Sequence, residues 1–261
     1  MLRLLFFLLP LMLPALAEEI QPAPELLDGP LPAIAGEHAA LVTDRPTTTR
    51  IAGWFRSEPF KRINPSTDPK ALARTISEAA AQNANTASLS LEWLNQSPAP
   101  THFSHTFDPA IGFVRSTHNM GTTHLTRTVL ASGKEGVIFV HIIADKPGDI
   151  SFRATLLPPK GEGEVKIADR RELLWTSPDN PATKAHVWVL PFESDVENEG
   201  STVILRGEGE CLLIFALTTA ENPAKPLSGT FSRLGERHDP GHLPPDPSKI
   251  WQAVSAGVPA P

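Results

Sequence analysis

The chain has 261 residues, 41% hydrophobic and 20% charged, with 27 Pro, one Cys and a formal charge of −6. That is enough apolar material for a packed core, while the proline density works against long helical bundles, because Pro lacks an N–H and breaks helices and central strands. The acidic balance argues against a partner bound through its phosphate backbone, so no nucleic acid is expected, and a single Cys excludes an internal disulfide framework or a multi-Cys zinc site.

In chain order, Arg3 opens an apolar run from Leu4 to Leu16 that ends in Ala15-Leu16-Ala17. A short basic start, an apolar stretch and an A-x-A ending are the parts of a secretory signal peptide, and the run is too short to span a bilayer as a helix. Residues 1–17 are therefore read as a signal peptide cleaved before Glu18, leaving a secreted or periplasmic chain with no membrane anchor. Residues 18–66 are Pro-rich (Pro22, Pro24, Pro30, Pro32, Pro46, Pro59, Pro65) and read as a linker or strap, with Ile51 to Phe55 as its concentrated apolar spot. Asp68-Pro69 then suits the N-cap and first position of a helix whose Leu72, Ile76 and Ala79 share one face, ending at Asn83 and Asn85.

From Ser88 onward the texture is that of strands, expected near 88–94, 101–107, 110–119, 122–131, 136–144, 149–157, 164–168, 184–192, 202–206 and 210–219, punctuated by Gly and Pro. Val137 to Val140 and Leu212 to Leu217 are apolar at consecutive positions. Such runs bury both faces, or one face plus a partner surface, and belong at sheet centres. Ten short strands at this spacing indicate a mainly β chain, an antiparallel sandwich with one N-terminal helix and Pro-rich terminal extensions. The sandwich is placed at residues 67–222. Residues 223–261 are a Pro-rich tail in which Ile250 to Val254 is a candidate docking turn.

Histidine and tryptophan carry the candidate chemistry. His102 and His105 are three apart, which on a regular strand puts them on opposite faces. His118 and His124 flank Asn119-Met120-Gly121, where a hairpin would bring them together. No HExxH or Cys/His framework supports a metal, so no metal and no cofactor is expected. No strained Ser turn of the G-x-S-x-G type is present, and Cys211 opens the most apolar strand as a small buried hydrophobe. The Gly-rich pieces at 161–164 and 207–210 carry glutamates and read as turns, and Glu193 to Glu199 reads as a solvated charged loop. No carboxylate pair stands out for general acid and base work. Among the five tryptophans, Trp188 lies in an apolar run and reads as core. Trp93 and Trp175 sit in less apolar company and are the candidates for a sugar-stacking surface. Together with His102, His118 and His124 they are the candidate carbohydrate-binding residues, and no catalytic residue is assigned.

The stretches Phe107 to Ser116, Thr123 to Ser132 and Gly136 to Phe152 resemble consecutive strands of the N-terminal sandwich of glycoside hydrolase family 95, the α-L-fucosidase and α-L-galactosidase family. Ala185 to Leu190 and Leu212 to Ala220 resemble later strands of that domain, and the helix from Pro69 leading into Leu89-Ser90-Leu91-Glu92 resembles its helix, so that the likeness covers residues 69–222. In that family an (α/α)-barrel bearing the catalytic residues follows the sandwich. Residues 223–261 hold no barrel, so no catalytic position carries over. The resemblance implies an exported, non-catalytic relative of a glycosidase accessory domain, acting in carbohydrate-associated binding or in assembly. Its partner would be a glycan, or a protein at the face where a barrel docks. The alternative is one part of an α-L-fucosidase-like hydrolase whose barrel is encoded separately or lost.

Overall fold

A computed structural model describes residues 31–35, 38–45, 48–55, 87–94, 101–108, 112–132, 137–159, 162–218, 246–256 and 258. Fifteen strands form two sheets in which every pairing is antiparallel. They are β1 (Leu31–Ala35), β2 (His38–Arg45), β3 (Thr48–Phe55), β4 (Ala87–Trp93), β5 (Thr101–Asp108), β6 (Phe113–Met120), β7 (Thr123–Ser132) and β8 (Val137–Ala144). There follow β9 (Ile150–Leu157), β10 (Val165–Asp169), β11 (Glu172–Thr176), β12 (Lys184–Pro191), β13 (Val196–Glu199), β14 (Thr202–Glu208) and β15 (Glu210–Thr218), and a C-terminal helix α1 (Pro247–Val254). The seven-stranded sheet runs β1-β2-β3-β4-β9-β14-β13, and the eight-stranded sheet runs β10-β11-β12-β15-β8-β7-β6-β5. The chain crosses between the layers after β4, β8, β9, β12 and β14, which makes the two sheets one sandwich.

Period-2 alternation builds the interior. Leu89, Leu91 and Trp93 of β4, Phe152, Ala154 and Leu156 of β9, and Val203 and Leu205 of β14 face Val129, Val140, Val187, Leu213 and Phe215 of the other sheet. β8 and β15 take the two middle positions of the eight-stranded sheet, where the doubly apolar runs were expected. The layers close tightly over β3. A Cβ placed on Gly53 would stand 2.6 Å from Phe215 Cε1 and 2.9 Å from Ile138 Cδ1, so only a residue without a side chain fits there. Both edges of the eight-stranded sheet are irregular, with a register shift in β5 between Thr101 and Ser104 and another in β10 between Ile167 and Asp169.

Residues 31–55 are not a linker. They form three strands of the seven-stranded sheet, with Ala40, Val42 and Ile51 in the core, so the sandwich begins well before residue 67. Proline density misled here because these prolines fall where strands tolerate them: Pro30 precedes β1, Pro32 lies on the edge strand β1, and Pro46 stands between β2 and β3. β11 and β13 were not expected either. They are five and four residues long, Leu173-Leu174 breaks the alternation of β11, and three of the four residues of β13 are polar or charged. The helix read from Asp68-Pro69 to Asn83 and Asn85 lies outside the described residues, as do residues 1–30. The tail contains a true helix rather than a single turn. Asp246 caps it, accepting from the Ser248 N–H at 3.0 Å, with Pro247 in the first turn.

Candidate docking face and ligand-binding residues

The five candidate carbohydrate residues divide into three buried and two exposed. Trp93 is only 5% exposed. It meets His118 edge-on at 6.3 Å and Phe152 edge-on at 5.9 Å, and its indole N–H donates to Thr49 Oγ1 at 3.4 Å. Trp175 is 2% exposed and donates to the Glu162 carbonyl at 2.9 Å. Neither ring offers a face to solvent, which removes both from a sugar-stacking surface. His118 is buried beside Trp93. The expected meeting of His118 and His124 does not occur. The hairpin register pairs His118 with Leu125 and Asn119 with His124, so the two histidines occupy opposite faces of the sheet. His124 is exposed, with Nδ1 2.8 Å from Asn119 Oδ1 and its backbone N–H donating to Asp145 at 2.7 Å. His102 is exposed in the β5 bulge, with φ at 55°. It neighbours Thr101, which pairs with Asn119, so His102 and His124 stand at the same end of the eight-stranded sheet.

Among the described residues no group of three His, Cys, Asp or Glu is placed to hold a metal. Cys211 is fully buried, and that burial pushes its thiol well above the ordinary range, which suppresses the thiolate that nucleophilic chemistry needs. The carboxylates that leave bulk solvent hold structure. Glu208 accepts from the Ser194 N–H at 2.9 Å and from Ser194 Oγ at 2.5 Å, fixing the turn before β13. In the charged stretch after it, Asp195 pairs with Arg170 and Arg171, and Glu197 with Arg206.

Among the described residues, the outer face of the eight-stranded sheet carries a second buried apolar cluster. One row of paired residues across it reads Phe113, Leu130, Phe139, Ile214, Trp188, all buried. The next row reads Arg115, Thr128, His141, Leu212, Leu190, so the face turns from apolar to polar along β6 to β8. α1 packs on this face. Ile250 is fully buried in the cluster, with Trp251, Val254 and Val258 packed partly buried against it. Trp251 stacks on the His141 imidazole, with ring centroids 4.4 Å apart and planes at 20°, and Phe192 flanks the same imidazole at 6.1 Å. His141 Nε2 is 2.7 Å from Glu210 Oε1. Farther along, Arg115 lies over the Phe113 ring at 5.6 Å and donates from Nε to Thr128 Oγ1 at 3.2 Å, and partial burial lowers its pKa. A second His–carboxylate pair, His186 Nδ1 to Glu172 Oε1 at 2.6 Å, stands on the other flank. The signal for this face was present in sequence. Val137 to Val140 and Leu212 to Leu217 are apolar at every position, and the structure buries both of their faces, one in the sandwich interior and the other under α1.

The fold is thus a two-layer antiparallel β-sandwich with a helix laid across one outer face. The chain belongs to the glycosyl hydrolase family 65 N-terminal domain family, whose sequence profile matches residues 56–222. Strands β1–β3 precede that match. No curated protein matches the chain.

Proposed function

We propose that the chain is an exported, non-catalytic relative of a glycosidase accessory domain that works in assembly, through the outer face of its eight-stranded sheet. The observation that carries this reading is that this face is built as an apolar docking surface and holds a helix. The burial of Trp93 and Trp175 supports assembly over sugar stacking, and leaves His102 and His124 as the residues of the original set exposed for a glycan. Export rests on the leader-like residues 1–17 and places the chain in the periplasm or outside the cell. Among the described residues no helix is long and apolar enough to cross a membrane.

The family 95 likeness read from the strand sequences supports a second reading, in which the chain is one part of an α-L-fucosidase-like hydrolase whose barrel is separate or lost. Under either reading we expect the isolated chain not to cleave glycosides, a reaction that needs an acid and a base or nucleophile on opposite faces of the sugar. Assay of the purified chain on aryl α-L-fucosides and α-L-galactosides tests this, with no turnover expected. Turnover that copurifies with the chain and vanishes on mutation of one Asp or Glu would overturn it. N-terminal sequencing of exported material is expected to begin at Glu18.

A further inference from the structure

We propose that the outer face of the eight-stranded sheet is a binding site for a short amphipathic helix, and that α1 is its occupant in cis, to be displaced by a helix of a partner chain. This rests on the assembly reading and names the chemistry of the partner. The site has two parts. The row Phe139, Ile214, Trp188 takes aliphatic side chains, and Ile250 supplies the fully buried one. The row that follows turns polar at His141, which takes an aromatic ring stacked on its imidazole and held in orientation by Glu210. A helix presenting an aliphatic residue, an aromatic at the next position and a second aliphatic four residues after the first reproduces Ile250, Trp251 and Val254. This is recognition of one side of an amphipathic helix by an apolar sheet face with one polar, ring-stacking position.

The case for exchange lies in how little holds α1. It has eight residues, below the roughly 12–15 at which an isolated helix becomes stable, so the face and the Asp246 cap maintain it. Its single fully buried residue is Ile250, while Trp251 and Val254 are covered only in part. As part of the same chain it has the advantage of a linked ligand over a free helix, an effective concentration on the order of millimolar. The face it leaves carries the apolar row Phe113, Leu130, Phe139, Ile214 and Trp188, and a contiguous apolar patch marks a surface for another element to cover, so the partner brings its own helix.

The test uses the full chain and a fluorescein-labelled peptide of residues 246–258, titrated by anisotropy into wild type and into the Ile250→Glu and Val254→Glu variants. Emptying the site in cis should expose it in trans. For a site of about 10 μM facing a tethered competitor at about 1 mM, the peptide should bind the variants about 100-fold more tightly than wild type. A peptide carrying Ile250→Glu itself should not bind, and His141→Ala added to either variant should weaken the trans complex. Variants that keep native β-sheet circular dichroism yet bind no peptide would overturn the site. Variants that lose the sheet altogether would also overturn it, since α1 would then be an integral layer of the core. Turnover of aryl fucosides by wild type would sink the accessory reading and leave the helix site standing, so the two failures are distinguishable.

Discussion

The two outer faces of the sandwich are made from strands of similar length and follow opposite rules. On the seven-stranded sheet, Arg153 reaches Glu92 at 3.9 Å and Glu199 at 3.5 Å, Arg206 reaches Glu197 at 3.3 Å, and Thr155 meets Thr202 at 3.3 Å. These are solvated cross-strand pairs. On the eight-stranded sheet the corresponding positions hold Phe139, Ile214, Trp188 and Leu212, under α1. A sheet with one solvated face alternates polar and apolar residues, as β9 does with Arg153 and Thr155 between core residues. A sheet buried on both faces loses the alternation, as β8 and β15 do. The difference teaches that the outer face of the eight-stranded sheet is built to be covered, whereas that of the seven-stranded sheet is built to meet water.

The largest expected effect tests that statement directly. Phe215 points into the sandwich and Phe139 points out, and both are fully buried. Phe215→Ala and Phe139→Ala should each cost about 3–5 kcal/mol in urea unfolding. A cost near zero for Phe139→Ala would reduce the outer cluster to a surface patch and break the comparison. Ile250→Ala should cost about 2 kcal/mol, at the low end for a buried aliphatic truncation because a terminal helix can resettle. Gly53→Ala forces a methyl against Phe215 and Ile138 and should cost about 1–3 kcal/mol, which checks that β3 belongs to the sandwich. The smallest effect belongs to the solvated face. Arg153 is 39% exposed, so Arg153→Ala should stay within about 0.5 kcal/mol, because water and salt screen such pairs. A larger loss there would mean that the two faces are less different than their side chains imply.

The sandwich was legible wherever side-chain period spoke plainly. The ten strands expected from residue 88 onward are present, and the doubly apolar runs stand at the sheet centre. The tryptophans show why the candidate site was harder to read. Trp93 and Trp175 were judged by their immediate company, which includes Glu92 and Thr176, whereas the decisive residues are two positions away. Leu89, Leu91 and Trp93 share one face, as do Leu173 and Trp175, and that face is the interior. β1–β3 were hidden by prolines that lie beside or at the edge of strands. The His141–Trp251 stack joins residues far apart in the chain across a helix and a strand, and no local pattern announces such a contact.

The bulge in β5 bears on what happens when copies of this chain crowd together. An edge strand offers a ladder of unpaired N–H and C=O groups on which another chain can grow. In β5 the ladder is interrupted between Thr101 and Ser104, where His102 adopts a positive φ, and β10 is interrupted between Ile167 and Asp169. An incoming strand aligned on either side of these breaks falls out of step at them. The eight-stranded sheet is thereby finite at both ends, and a sandwich of two antiparallel sheets gains a barrier against the end-to-end growth that leads to fibres.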